Sequence, residues 1–535
     1  MQTEGRFPEG MTIYGSMPGM GTPELPVPDG LVLRPFRGVR FAVEDPAKVT
    51  SPPYDLISDA DVDALLHLHP NNVVRLILPR TPRPDSAHTT SATQPLPDTA
   101  DPSPATHALP AVDELPPETR YAEARDTLQA WLQTGILVPD ERPALYVYEQ
   151  HGPYFLQRGL IGDVALTDPG QHVILPHEDV MPGPIADRLA LMSTTQANLE
   201  PIFLLYDGAG GPTTRLVEEV ATRRRPLVSA TTEDGVTHRL WAITDTSEIA
   251  TINADLRDRQ ALIADGHHRY ATYRVLQRQE RLAHPPAESS PTPSDAAPRG
   301  EASGNAVPAS AVLSSSAARP GDAGTDPTPA HSSPADGSHQ PPSTTLVAPW
   351  DFGLALLVDS TAYPPDLKAI HRVIPGLPLA KAAAQARQSW RVQEFGTLAA
   401  GLAAFENSPD PAFLLADEAG AYLLTDPDPV QLAHAMPADH SDRWNSLNTS
   451  ILSEFILPKV WGMRDDEQAV RIVHHDVEAA AKLATNTNGT AVILKPLATE
   501  DVLAVAAGGE RVPRKSTSFG PKPRTGLVLR TFAIN

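Results

Sequence analysis

Short apolar runs alternate with amphipathic stretches along most of the chain. Residues 144–150 and 154–166 alternate apolar and polar positions around a His-Gly-Pro turn, which predicts an antiparallel hairpin. Helical periodicity predicts helices at residues 121–134, 270–281 and 476–484. Apolar runs predict buried strands at residues 73–79, 201–206, 261–264, 352–358 and 491–494. These elements together predict a mixed α/β fold with mixed sheets and flanking helices.

Three segments lack the apolar periodicity of a packed core. They are rich in Pro, Gly, Ser or Ala, and such sequence buries too little apolar surface to offset its chain entropy. We therefore expect a disordered leader at 1–30, a disordered insertion at 81–112 and a disordered linker or insertion at 284–345. The remainder predicts an N-terminal α/β domain over 31–283 and a C-terminal α/β region over 346–535 that packs on it.

Charge and cysteine content exclude several classes of function. The 43 Lys and Arg against 65 Asp and Glu give a net charge of −22, which argues against a nucleic-acid-binding protein. Because the chain has no cysteine, disulfides, iron–sulfur clusters, thiolate zinc sites and cysteine nucleophiles are excluded. No apolar run is long enough to span a membrane, and the first thirty residues do not resemble a signal peptide. These features predict a cytoplasmic protein without a membrane or nucleic-acid partner.

The stretch 261–273 carries the most concentrated chemistry. It runs from an apolar strand through Asp265 and a glycine into a helix, so Asp265 can cap the helix or act as a base. His267, His268 and Arg269 fall in the first helical turn, where the helix dipole favours anions over cations. A bound phosphate or carboxylate would make this arrangement favourable. The alternative is a capping network of Asp with Arg or His that binds no ligand.

A second stretch, residues 175–188, places His177 and Glu178 ahead of a Pro-Gly loop that can present them at a cleft. The pair can supply a base or bind a metal, and the alternative is a polar surface loop. Arg188, with the preceding Asp, is expected to open a helix. The sequence His474-His475-Asp476 precedes another helix, where a capping role is the simpler interpretation.

A third stretch, residues 509–522, is basic although the protein is acidic. Lys515, Ser516 and Thr517 offer an ammonium group and two hydroxyls to an anion, and Lys522 can add a second charge. The stretch lacks the frame of a Walker A loop. The alternative is a solvated basic loop near the C-terminus.

Several motifs in a fixed order resemble a bacterial and archaeal family catalogued as domain of unknown function 1015. The resemblance spans residue 31 to the C-terminus, apart from the two insertions, and it implies no settled activity. The matching motifs are Arg34-Pro-Phe-Arg37, Ser51-Pro-Pro-Tyr-Asp55, His177-Glu178, Asp187-Arg188, Ala264-Asp-Gly-His-His-Arg269, His371-Arg372, Pro513-Arg-Lys-Ser-Thr517 and Pro521-Lys522.

The strand–Asp-Gly-His-His-Arg–helix element is also similar to the nucleotide-binding turn of the ParB/sulfiredoxin superfamily, which includes free-serine kinases. This similarity implies that Asp265 is a base or metal-orienting group, and that Arg269 and either His267 or His268 contact phosphate. The absence of cysteine excludes sulfiredoxin chemistry, and the acidic charge disfavours a DNA-binding partition clamp.

These observations favour a small-molecule phosphotransferase acting on a hydroxyl amino acid such as serine, or another enzyme that handles a phosphorylated ligand. The candidate catalytic residues are Asp265, His268 and Glu178. The cofactor expected is Mg²⁺ with a nucleotide or pyrophosphate donor. The hypothesis requires that stretches 175–200, 260–273 and 509–522 converge in space. The candidate ligands of phosphate or substrate are His267, Arg269, His177, Arg188, Lys515, Ser516, Thr517 and Lys522.

Two other functions stay open. A metal-dependent hydrolase would bind Zn²⁺ or Mn²⁺ through His177, Glu178, Asp265, His267 and His268. Adjacent histidines rarely bind one ion together, and no His-Glu-x-x-His helix is present, so we expect no resident metal site. A non-catalytic nucleotide or phospho-metabolite sensor would bind the same ligands without turnover.

Overall fold

The computed structural model describes residues 25–80, 117–285 and 348–535, except for residue 467. The predictions of disorder for 1–30, 81–112 and 284–345 therefore lie almost entirely outside the described residues. Within these ranges the chain has the predicted mixed α/β fold. No helix among the described residues is long and apolar enough to cross a membrane.

The strands are short, and most belong to one of two large sheets. They are β1 (Leu33–Arg34), β2 (Val39–Phe41), β3 (Leu137–Pro139), β4 (Leu145–His151), β5 (Leu156–Ala165), β6 (Ile174–Leu175), β7 (Ala197–Asn198), β8 (Ile202–Tyr206), β9 (Val228–Thr231), β10 (Thr237–Ile243), β11 (Ala261–Asp265), β12 (Phe352–Asp359), β13 (Asp366–Lys368), β14 (Ile370–Ile374), β15 (Arg391–Phe395), β16 (Phe413–Ala416), β17 (Ala421–Thr425), β18 (Arg471–His474), β19 (Thr490–Ile493), β20 (Ser518–Gly520) and β21 (Arg530–Thr531).

The helices flank these sheets. They are α1 (Asp59–Leu68), α2 (Val74–Ile77), α3 (Pro117–Gln133), α4 (Pro182–Thr195), α5 (Pro212–Arg223), α6 (Thr246–Leu256), α7 (His267–Ala283), α8 (Leu379–Ala386), α9 (Leu398–Glu406), α10 (Pro429–Ala435), α11 (Asp442–Ser446), α12 (Asn448–Ile451), α13 (Val477–Asn486) and α14 (Thr499–Ala507). The π-helical turn Leu452–Val460 continues α12.

The larger sheet is mixed and has the strand order β6-β11-β8-β12-β5-β4-β10-β9, with β1 paired to one end of β5. Strand β12 follows the undescribed residues 286–347, yet it lies in the middle of this sheet, parallel to β8 and antiparallel to β5. The chain on both sides of that segment therefore builds one sheet. Its two faces are both covered, because alternate residues such as Leu204 and Phe203 belong to different buried clusters.

The second sheet is antiparallel and has the order β15-β17-β16-β19-β14-β18. After it, the chain returns to the first sheet. Strand β21 pairs with β7, and isolated bridges join Val39 to Leu529 and Ser51 to Thr525. This return carries the basic stretch 509–522 across to the end of β11.

Most of the predicted elements are confirmed. The hairpin 144–166 forms β4 and β5, and the helices predicted at 121–134, 270–281 and 476–484 form α3, α7 and α13. The buried strands predicted at 201–206, 261–264, 352–358 and 491–494 form β8, β11, β12 and β19. The strand predicted at 73–79 is wrong, because that apolar run contains the short helix α2. The helix expected to open at Asp187 already begins at Pro182.

Candidate functional site

The turn between β11 and α7 positions the first group of candidate residues. Gly266 has a φ of 92°, a left-handed conformation that glycine adopts without strain. A Cβ there would also lie 3.0 Å from Ile202, so the turn has little room for a side chain. Gly266 is the N-cap of α7, and no side chain caps the helix. Asp265 therefore does not cap α7, contrary to one of the two roles expected of it.

The Asp265 carboxylate is held by two cations. Its Oδ2 lies 2.5 Å from Arg269 Nη2, and its Oδ1 lies 2.5 Å from Lys522 Nζ. Lys522 Nζ also contacts Asp55 Oδ2 at 2.6 Å. Burial disfavours the charged form of Lys522, but the carboxylates of Asp265 and Asp55 outweigh it and raise the lysine pKa. Burial likewise opposes ionisation of Asp55, yet Lys522 and Arg269 outweigh it and lower the pKa of Asp55.

Glu178 takes part in a different set of contacts. Its Oε1 accepts a hydrogen bond from the Thr517 hydroxyl at 2.9 Å, and the same hydroxyl lies 2.8 Å from His177 Nε2. Burial raises the pKa of Glu178, and the Thr517 hydrogen bond and Lys515 only partly oppose the shift. A carboxyl group with a raised pKa is suited to accept a proton near neutral pH.

The three histidines are all held neutral. Burial lowers the pKa of His177 to about 3, and it lowers that of His267 well below the usual value. The backbone N–H of His177 donates to His267 Nε2 at 3.3 Å, and the N–H of Met181 donates to His268 Nε2 at 3.1 Å. Burial and the neighbouring Lys515 also lower the pKa of His268. As neutral acceptors at Nε2, His267 and His268 carry their ring proton on Nδ1.

Lys515 differs from the other cations of the site. Its backbone is in the left-handed region, with a φ of 54°, where a residue with a side chain is strained. Its side chain is exposed, and it forms no ion pair with any carboxylate of the described residues, whereas Arg269 and Lys522 are both paired. Six other non-glycine residues of the described chain also have a positive φ, so the strain distinguishes Lys515 only together with its unpaired charge.

These groups surround one cavity of about 350 Å³. It lies between the β11–α7 turn, the 54–56 turn, the basic stretch and the strand edge of the second sheet. The lining residues are Tyr54, Asp55, Leu56, Glu178, Met181, Pro184, Ala264, Asp265, Gly266, His267, His268, Arg269, Ile370, His474, Lys515, Thr517, Ser518, Phe519 and Lys522. The structure thus brings together all three stretches that the phosphate hypothesis requires to converge.

Three of the predicted phosphate ligands lie outside this lining. His177 is fully buried behind Phe519, with the two rings edge to face. Ser516 is buried and its hydroxyl donates to the Pro513 carbonyl. Arg188 is also buried and donates to the Ile77 carbonyl, with its guanidinium 4.3 Å from the centre of the Tyr54 ring. All three support the walls of the cavity instead of facing it.

Other residues line the cavity that the sequence did not identify as site residues. Asp55 belongs to the Ser-Pro-Pro-Tyr-Asp motif, which by itself indicates only a rigid turn. His474 ends β18 and reaches the cavity from the second sheet, while Asp476 caps α13 as expected, its carboxylate accepting the Ala479 N–H. The family resemblance of this motif is the only feature of the sequence that includes Asp55, and the stretch that contains His474 indicates only a capping role.

Metal-ligand geometry weighs against the hydrolase. Among the residues that the structure describes, no three His, Asp or Glu side chains are grouped closely enough to hold an ion. The hydrolase hypothesis would use the side chains of His177, His267 and His268 as metal ligands. In the structure, their Nε2 atoms form hydrogen bonds within the protein instead. The partners are the Thr517 hydroxyl and the backbone N–H groups of His177 and Met181.

Comparison with known families supports the resemblance over the first half of the chain. The model of a family described as Protein of unknown function (DUF1015) matches residues 33–98 and 103–297. This match includes the motifs from Arg34 to Arg269, whereas those at 371–372 and 513–522 lie beyond it. No curated protein matches the chain.

Solved structures resemble the chain only distantly. SbnI with C-terminal truncation from Staphylococcus aureus has a TM-score of 0.31 at 10% identity, covering 70% of this chain and 88% of that one. A free serine kinase variant in complex with AMP has a TM-score of 0.31 at 10% identity, covering 73% and 94%. A conserved hypothetical protein from Pyrococcus furiosus has a TM-score of 0.29 at 12% identity, covering 67% and 91%. Similarity at this level assigns neither an activity nor a ligand to this chain.

Proposed function

We propose that the cavity binds the phosphates of a small ligand, and that the protein is a phosphotransferase acting on a small hydroxyl-bearing acceptor such as a hydroxyl amino acid. The observation that carries the proposal is the position of Lys515. This unpaired cation lies on a strained backbone in the same cavity as the first turn of α7 and the Glu178 carboxyl group.

Lys515 and the start of α7 supply the attraction for phosphate. The positive end of a long helix, with its free backbone N–H groups, favours an anion. Arg269 and Lys522 are already balanced by Asp265 and Asp55, so Lys515 is the cation left to neutralise the ligand. His268 adds a neutral N–H donor at Nδ1, which can bind a phosphate oxygen without contributing charge.

Glu178 is the group suited to act as the base. In the transfer, the acceptor hydroxyl oxygen bonds to phosphorus, the bond from phosphorus to the donor oxygen breaks, and the hydroxyl proton passes to the Glu178 carboxylate. Asp265 is less suited to this role because Arg269 and Lys522 hold its carboxylate. Of the three catalytic residues expected from the sequence, we assign the base to Glu178, orientation of phosphate to His268 and positioning of the cations to Asp265.

The donor set of the cavity fits Mg²⁺ better than a softer metal. Asp55 and Asp265 both line the cavity, and carboxylate oxygens together with phosphate oxygens are the ligands that Mg²⁺ prefers. These two residues would hold the ion in place of their ion pairs with Lys522, and the ion would neutralise charge on the phosphates of a nucleotide or pyrophosphate donor.

Calorimetric titration with tripolyphosphate and with phosphoserine tests the phosphate site. We expect Lys515→Met to weaken binding by about tenfold or more, since a charge-assisted hydrogen bond contributes roughly 1.5–3 kcal/mol. Lys482→Met, which removes an exposed lysine from α13, is the matched control and should bind as the wild type does. Equal binding by both variants, or no binding by the wild type, would contradict the proposal.

A sensor that binds without turnover is the second candidate, because the ion pairs of Asp265 and Asp55 leave Glu178 as the single carboxyl group of the cavity lining placed to act as a base. Glu178→Gln separates the two functions. In a phosphotransferase it should retain phosphate binding and lose turnover by about 100-fold or more. In a sensor the wild type binds the ligand and transfers nothing, and the variant behaves in the same way.

A further inference from the structure

A second cavity adjoins the phosphate cavity. It has a volume of about 360 Å³ and lies between α1, the 45–57 segment and the turn that joins β9 to β10. Leu56 lines both cavities, so its partly exposed side chain forms part of the wall between them. The volume of each cavity is at the lower end of the range for small-molecule sites, and a ligand that occupies both would pass over the Leu56 side chain.

The same two chain segments form walls of both cavities. In the first segment, Tyr54 and Asp55 face the phosphate cavity, and Ile57 faces the second one. In the other segment, Lys522 lines the phosphate cavity and Arg524, two residues later, lines the second. A ligand group in either cavity therefore contacts the segments that shape the other.

The second cavity has a different chemical character. Aliphatic side chains of Leu56, Ile57, Leu65 and Leu68 form its apolar side, and Leu56 and Leu68 are 54% and 38% exposed. A flat apolar group of a ligand that covered this surface would remove it from water, which is favourable.

Carboxylates surround the apolar side. Asp45, Asp61, Glu233 and Asp234 all line the cavity, against Lys48 and Arg524. Arg524 donates to the Thr50 hydroxyl at 3.0 Å, which fixes it in the wall. This excess of negative charge disfavours phosphate here, whereas carboxylate oxygens readily accept hydrogen bonds from sugar hydroxyls and amino groups.

We propose that the second cavity binds the nucleoside part of a nucleoside di- or triphosphate whose phosphates lie in the first cavity. The base covers the leucines of α1 and the 54–57 turn, and the carboxylates accept hydrogen bonds from the ribose hydroxyls or the amino group of the base. This inference rests on the proposed function, since it identifies the phosphate donor as a nucleotide and not as inorganic pyrophosphate or polyphosphate.

Titration of the full-length chain with ATP, tripolyphosphate and adenosine, each with Mg²⁺, tests this inference. The key variant is Ala64→Trp, which fills the second cavity from an exposed position on α1. Ala254→Trp places the same side chain at an exposed position on α6, away from both cavities, and is the matched control. Circular dichroism of both variants verifies that each one folds.

We expect the wild type to bind ATP about tenfold or more tightly than tripolyphosphate. Ala64→Trp should remove that advantage and leave the affinity for tripolyphosphate unchanged, while Ala254→Trp changes neither. Equal affinity of the wild type for ATP and tripolyphosphate would overturn the nucleoside site and leave the phosphate site standing. Binding of adenosine but not tripolyphosphate would support the nucleoside site and contradict the phosphate site. If no ligand binds, both are wrong.

Discussion

Two clusters of buried charge in this protein look alike in composition but differ in their surroundings. In the first, Asp163 lies in β5, with Oδ1 2.6 Å from Arg530 Nε and Oδ2 2.9 Å from Arg34 Nη2. Asp163 and Arg530 are both 0% exposed. In the second, Asp265 is similarly placed between Arg269 and Lys522, but its cluster lines a cavity.

The first cluster, around Asp163, is the closed cluster, and its ion pairs form within the protein without a ligand. Arg530 also donates from its two Nη groups to Asn198 Oδ1 at 2.8 Å and to the Pro349 carbonyl at 2.7 Å, so the protein itself supplies partners for both Nη groups beside the ion pair with Asp163. The second cluster, around Asp265, is the open cluster. It borders the cavity, where water or a ligand can replace a protein partner, and the unpaired Lys515 lines the same cavity. Burial of charge therefore does not by itself indicate function, and what distinguishes the open cluster is that it faces a cavity beside an unpaired cation.

Removing the central carboxylate from each cluster gives the largest expected effect. Asp163→Asn leaves Arg530 charged and buried with a neutral partner, which should lower the free energy of unfolding by about 3–5 kcal/mol. Asp265→Asn should lower it by only about 1–3 kcal/mol, because Lys522 keeps Asp55 and water can reach the cavity. Urea denaturation of both variants measures the difference.

The two variants should also differ in ligand binding. The folded fraction of Asp163→Asn should bind tripolyphosphate as the wild type does, since this cluster does not line the cavity. Asp265→Asn removes a negative charge from the cavity and should bind tripolyphosphate more tightly. If the two substitutions lower stability equally and neither changes binding, the distinction between open and closed clusters does not hold.

Local pattern predicts much of this fold, and its failures have physical causes. The run 261–265 is recognisable as a buried strand because four apolar residues lead directly into an Asp-Gly step. The run 73–79 is equally apolar, but Asn72 Oδ1 accepts the Val74 N–H at 3.0 Å and starts a helical turn. Periodicity cannot separate a strand from a helix over so few residues. Likewise α4 begins at Pro182 because proline suits the first turn of a helix.

The candidate site is predictable only in part. Its motifs are dense in charge and hydroxyl groups, so each is visible along the sequence. Their partners are not, because Lys522 reaches Asp55 and Asp265 only after the chain has built the second sheet and returned. The same holds for His177 and Ser516, whose polar side chains resemble ligands in sequence but are buried in the cavity walls. The long-range topology of the chain determines which polar residues face the cavity and which are buried in its walls.

The buried histidine behind the cavity predicts a pH dependence of stability. His177 is neutral in the folded protein with a pKa of about 3, whereas an unfolded histidine titrates near its usual 6.5. Between these values the unfolded chain binds one more proton, so stability falls as the pH drops. The loss is about 1.4 kcal/mol for each pH unit.

His177→Gln removes this proton uptake. The substitution also changes packing, but that change contributes equally at each pH. Relative to the wild type, the unfolding free energy of the variant should therefore rise by about 1.4 kcal/mol for each pH unit below 6.5. Urea denaturation at pH 7, 6 and 5 measures this shift. A gap that stays constant over this range would show that His177 is not held neutral by burial.

The smallest expected effect concerns the strain at Lys515, and it has the opposite sign. Glycine adopts the observed φ of 54° without strain, so Lys515→Gly should raise the free energy of unfolding by about 0.5–1 kcal/mol. Lys515→Ala also removes the charge but keeps a Cβ in the left-handed region, so it should give no such gain. Thermal and urea unfolding of the two variants measure the difference.

A gain of stability with glycine alone, together with weaker tripolyphosphate binding in both, would mean that the protein keeps a strained lysine here for the sake of its cation. Equal stability of the two variants would remove strain as evidence for the site and leave the unpaired charge alone to support it.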